Sequence, residues 1–134
     1  MAIINISQKD IDQQKMVDPG FHGVHLEGYT EKVNKQKDGT NYIFELKVVS
    51  DGSNKDRYCF HLVSSKQIVR GMVPVICAFE QVDPKEFQPA DVDLDKLVGK
   101  TCIIEVEHEI YEGRQQVRVK NFFPATATGI ELNS

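Results

Sequence analysis

Apolar and polar positions alternate along much of this chain. Val24 and Leu26 alternate with His25 and Glu27, Gly28 interrupts, and Tyr29 and Val33 resume in a new phase. A first strand is predicted over 21–33, with a bulge or sharp bend at the glycine. Asp38-Gly39 in the polar stretch that follows signals a turn. A second strand is predicted over 41–50, with Tyr42, Phe44, Leu46 and Val48 on one face. A third is predicted over 57–63, with Tyr58, Phe60 and Leu62 on one side and Arg57, Cys59 and His61 on the other. Alternation assigns Phe44 and Phe60 to the core. The three strands read as an antiparallel meander.

The period changes between residues 64 and 82. Ile68, Val69, Met72, Val75, Ile76 and Phe79 recur at helical spacing, and Pro74 predicts a kink or two helical pieces. An acidic connector follows over 83–93, then a turn at 95–100. A fourth strand is predicted over 101–111, with Cys102, Ile104 and Val106 inward. After a hairpin turn at Glu112-Gly113, a fifth is predicted over 115–123, with Val117 and Val119 inward and Arg118 and Lys120 outward. Ahead of the first strand, Ser7 is placed to cap a short helix over 8–17, a loosely held arm being the alternative. The expected organisation is an arm or helix over 1–18, a barrel domain over 19–124, and a flexible tail over 125–134. Three strands, a helix and two strands is the order of an oligonucleotide/oligosaccharide-binding (OB) barrel. The predicted class is therefore mainly β with one or two helices, a five-stranded OB-like barrel with the helix between strands three and four.

At 134 residues, with 40% hydrophobic and 27% charged residues, the chain is long enough for one domain with its own core. Three cysteines without a CxxC spacing predict free thiols in a reducing compartment rather than a disulfide framework. The opening residues lack the basic-then-apolar pattern of a signal peptide, and the longest apolar run is too short to span a bilayer. A cytoplasmic protein without membrane partners is expected. The net charge of −4 counts against bulk attraction to nucleic acid. The charge is uneven, however: acid dominates 83–112, while 113–124 carries Arg114, Arg118 and Lys120 and no acid.

Several motifs follow one another in an order that resembles a phage family, domain of unknown function 669. They are Gly20, Gly28-Tyr29, Lys37-Asp38-Gly39-Thr40, Tyr42-Ile43-Phe44-Glu45-Leu46, Arg57, Ile76-Cys77-Ala78-Phe79, Leu97-Val98-Gly99-Lys100 and Phe122-Phe123-Pro124. The resemblance spans about Pro19 to Pro124. It departs at Val63-Ser64-Ser65-Lys66, where that family has a polar, Asn-rich segment. The resemblance implies an OB-like, single-stranded-DNA-binding protein of phage replication or recombination, located in the host cytoplasm.

No nucleophile triad, phosphate loop or dinucleotide fingerprint is present. Cys59 and His61 share a strand face but lack the second pair that a structural zinc site needs. Glu105, Glu107 and Glu109 alternate as the solvated face of a strand does. No enzyme activity, cofactor or metal is expected. Sequence-independent binding of a single strand needs cations along the backbone track and aromatic faces for stacking. Candidates on the first inter-strand loop are Lys32, Lys35 and Lys37, and on the last hairpin Tyr111 and Arg114. Lys47, Arg57 and His61 are candidates on strands two and three, and Arg118 and Lys120 on strand five. Tyr42 and Tyr58 read either as stackers at strand ends or as core. The expected partners are single-stranded DNA and replication or recombination proteins. RNA as ligand, self-association, and an acidic protein-interaction adaptor or nucleic-acid mimic stay open as alternatives.

Overall fold

Five strands form one antiparallel sheet in the computed structural model. The structure describes residues 2–8, 10–11, 15–33, 39–88, 92–127 and 129–132. The strands are β1 (Gly20–Val33), β2 (Thr40–Val48), β3 (Tyr58–Val63), β4 (Thr101–Tyr111) and β5 (Arg114–Pro124), and helix α1 (Ile68–Glu80) lies between β3 and β4. Spatial order is β3-β2-β1-β4-β5, as an OB barrel gives when opened between its third and fifth strands. The expected fold class is what the structure has, with one difference. No hydrogen-bonded ladder joins β3 to β5 among the described residues, so the sheet curls without closing.

β1 makes the curl. Its first half pairs with β4 and its second half with β2, with a register shift between Leu26 and Gly28. The bulge falls at the predicted glycine, where an extra residue bends the strand and raises its twist. The hairpin between β4 and β5 turns on Glu112 (φ 51°) and Gly113 (φ 78°). Two left-handed residues in succession make the tight hairpin turn whose twist matches that of the strands, and glycine takes the second position without a Cβ penalty.

The core lies inside the curl. Val24, Leu26, Phe44, Leu46, Val48, Cys59, Val63, Leu97, Cys102, Ile104, Val106 and Val119 meet Met72, Val75, Ile76 and Phe79 of α1. The helix starts from a 3-10 turn (Ser65–Gln67), and the change of helix type comes at Gln67–Ile68 rather than at Pro74. The proline instead sits within α1 on its exposed side, with no N–H to donate along the helix.

At the N-terminus Ser7 caps a helical turn reaching Ile11. The Asp10 amide donates to Ser7 Oγ (3.2 Å) and the Ser7 amide to Asp10 Oδ2 (3.0 Å). Residues 16–18 have left the helical conformation, and Val17 is fully buried in the core. Beyond β5, the Thr126 amide and hydroxyl donate to Gln81 Oε1, and Leu132 bridges to Phe21.

Candidate nucleic-acid interface

The inward set of β3 is the opposite of the one predicted. β3 pairs with β2 as Leu46 with Cys59, Phe44 with His61 and Tyr42 with Val63. Residues opposite one another share a face, so Cys59, His61 and Val63 join Phe44 and Leu46 inside. Phe60 and Leu62 point outward, 48% and 58% exposed. The assignment of Phe60 to the core is thereby corrected. Both faces of this strand are apolar, so alternation alone does not choose between them. The choice is made by the turn before it, in which Asp56 N donates to Val48 O and Val48 N to Arg57 O, pinning Lys47 opposite Tyr58.

His61 and Arg57 leave the outward positions expected of them, and Tyr58, read as stacker or core, is buried. His61 was expected outward. Its ring lies inside, edge-on to Phe122 at 4.9 Å between centroids, and burial, with the Arg118 charge second, pushes its pKa from 6.5 down to about 4. Arg57 turns back onto the body, donating from Nη1 to Met16 O (2.8 Å) and Asn54 Oδ1 (3.2 Å). There it ties the arm to the β2–β3 turn and offers no free cation. Tyr58 is buried against the outer face of Lys47 and has no ring face open for stacking.

The remaining candidates divide by place. Lys47 faces outward but lies between Glu27 (3.9 Å) and Asp56 (3.7 Å). Tyr42 is half-buried and packs on the core. Lys32 is exposed near the end of β1, and Lys35 and Lys37 fall outside the described residues. Tyr111 and Arg114 are exposed and face each other at the hairpin. None of these lines a common groove with the others.

His61, Arg118 and Lys120 do come together. They line a groove of about 490 Å³ at the open seam between β3 and β5, with Phe60, Leu62, Val117 and Val119 as apolar walls and Gly71 at the floor. A smaller hollow beside it is lined by His61, Arg70, Pro74, Lys120 and Phe122. Lys66 and Arg70, one turn apart at the start of α1, border a third. Lys66, Arg70 and Lys120 are exposed and make no ion pair among the described residues. Arg118 is shared by Glu107 (3.5 Å) and Glu109 (3.6 Å), and Glu105 accepts from Asn121 Nδ2. The glutamate row of β4 is thus bonded across to β5.

The groove and the hollow beside it therefore combine two exposed apolar side chains, an aromatic–imidazole pair and two cations, Arg70 and Lys120, that make no ion pair among the described residues. Three of these residues were missed: Phe60, Leu62 and Arg70. The signal for the first two was a strand with more apolar residues than one face can bury. For Arg70 it was a cation on the helix face opposite Met72 and Val75.

The buried thiols offer no chemistry here. Burial pushes Cys59 up to about 12 and Cys102 higher still, far from the thiolate range. Among the described residues no three His, Cys, Asp or Glu side chains gather as a metal site would need, and no helix is long and apolar enough to cross a membrane.

A scan against models of known protein families gave no match, and neither did a search of curated protein sequences.

Proposed function

We propose that the chain is a non-catalytic module that binds single-stranded DNA along the β3–β5 seam, in phage replication or recombination. The observation that carries this reading is the seam itself. Phe60 and Leu62 stand exposed beside Lys120 and Arg70, on a sheet with the OB strand order. Stacking bases on an exposed aromatic contributes about 1–3 kcal/mol each, and cations along the groove hold the phosphates. The order of family-like motifs along the chain supports the phage context. Arg118 offsets one of the three negative charges of the β4 glutamates and Glu109 lines the groove, so the phosphate track in this reading runs on the Lys120 and Arg70 side.

Fluorescence anisotropy with labelled oligo(dT) at low salt tests the reading. Binding in the micromolar range or tighter is expected, with Phe60→Ala weakening it about tenfold, as loss of one stacked base implies. Phe60 is exposed, so the variant keeps its fold, which circular dichroism verifies. No change in anisotropy with wild-type protein would sink the proposal. It would leave the adaptor reading, which the exposed carboxylates of Asp83, Glu86, Asp93 and Asp95 favour as a face for a basic partner.

A further inference from the structure

Phe60 and Leu62 lie two residues apart on the outer face of β3, and both are exposed. Successive residues of a strand advance about 3.3 Å, so the two side chains stand about 7 Å apart. Nucleotides of a stacked strand are about 3.4 Å apart, and those of an extended strand roughly twice that. The two apolar platforms thus match the spacing of two neighbouring bases on an extended strand. Phe60 supplies an aromatic ring for stacking, and Leu62 an apolar contact for the next base.

The groove has the same measure. It is lined along β3 from Phe60 to Ser64 and along β5 from Val117 to Lys120. These segments run about 13 Å and about 10 Å, enough for two extended nucleotides and too short for a long tract. The volume of about 490 Å³ lies in the lower half of the range, roughly 300–1,000 Å³, of sites that take one small molecule.

Charge bounds the track as well. Arg70 and Lys120 make no ion pair among the described residues, which provides for two phosphates. On β5 the neighbouring Arg118 is outweighed by Glu107 and Glu109, and Glu109 itself lines the groove. On β2, Glu45 stands opposite Phe60, and Lys47 beyond it lies between Glu27 and Asp56. A strand leaving the groove toward β2 or along the β4–β5 hairpin therefore meets carboxylates first. Toward α1, Lys66 borders a separate hollow beyond Arg70, which makes three nucleotides the outer limit.

We infer that the seam grips two nucleotides, three at most, so that its ligand is a short unpaired stretch (a gap, a flap, an overhang or a free dinucleotide) rather than a long tract. The inference rests on the seam being the nucleic-acid site. A longer strand then gains only by offering more registers, and affinity grows in proportion to length. A strand tracked across a wider face would instead gain roughly five- to a hundredfold with each further stacked base.

Competition against labelled (dT)12, with the full chain at low salt, separates these outcomes. The competitors are the 5′-phosphorylated dinucleotide pdTdT, which carries two phosphates, and unlabelled (dT)4, (dT)12 and (dT)30. The last two are expected to bind about ten- and about thirtyfold more tightly than pdTdT, as their registers imply. Tyr111 is exposed at the hairpin and does not line the groove, so Tyr111→Ala should leave the whole series unchanged. A gain of a hundredfold or more between pdTdT and (dT)12 would overturn the short footprint, and so would a Tyr111→Ala variant that weakens (dT)12 while sparing pdTdT. No anisotropy change with labelled (dT)12 itself would remove the nucleic-acid site and the footprint with it, so the two failures are distinct.

Discussion

His61 carries more physical consequence than its single ring suggests. It lies among apolar groups with Phe122 at its edge and the Arg118 charge nearby, and both disfavour the imidazolium. Its pKa in the fold is about 4, against 6.5 when exposed. Below about pH 6.5 the unfolded chain therefore binds a proton that the folded chain refuses, so stability falls as pH drops from 6.5 through 4. The contribution is about 1–2 kcal/mol between about pH 7 and about pH 5. Urea melts should show wild type losing that much more than His61→Gln over the interval, since glutamine has no proton to take up. Equal losses would mean that the ring is protonated in place. The residue was legible as polar and as sharing a face with Cys59. That this face is the inner one depends on register, which its own strand does not encode.

Gly71 shows how closely α1 and β3 are fitted. A Cβ built there would stand 3.0 Å from Val63 Cγ1, and Val63 is buried and branched, so it has little room to yield. Alanine is worth up to about 1 kcal/mol over glycine within a helix, but overpacking a filled site costs about 1–3 kcal/mol. Gly71→Ala should therefore destabilise by about 1 kcal/mol in a denaturant melt, and a gain would show that helix and strand can part. At this scale much of the fold was readable. Each strand and the helix fall within a few residues of their predicted bounds, because β1, β2, β4 and β5 are apolar on one face in a period of two, and α1 in a period near 3.6. The bulge at Gly28 was readable for the same reason, as a break in phase. β3 was not, because Tyr58, Cys59, Phe60, Leu62 and Val63 supply two apolar faces, and only its ladder with β2 selects one. The candidate site inherited that error. Arg57 and Tyr58 looked available until the Asn54 turn and Lys47 covered them, while Phe60 and Leu62 looked buried.

Across the whole molecule, the proposed polyanionic ligand has to be reconciled with a net charge of −4. Local charge resolves this where the total does not. Lys47 and Arg118 each lie between two carboxylates, and Lys100 pairs with Glu80. Arg70 and Lys120 border the seam with no ion pair among the described residues. Each phosphate neutralised on a single strand contributes about −0.7 to the slope of log K against log salt. Two such cations thus predict a slope of about −1.4 for oligo(dT), far shallower than a strongly basic protein would give. Lys120→Gln should flatten it by about 0.7, and Arg70→Gln likewise, with little effect on stability because both side chains are exposed. Arg114→Gln at the hairpin tip should leave the slope unchanged, since Arg114 does not line the groove. A slope that responds to Arg114 and not to Lys120 would move the ligand off the seam and onto the hairpin.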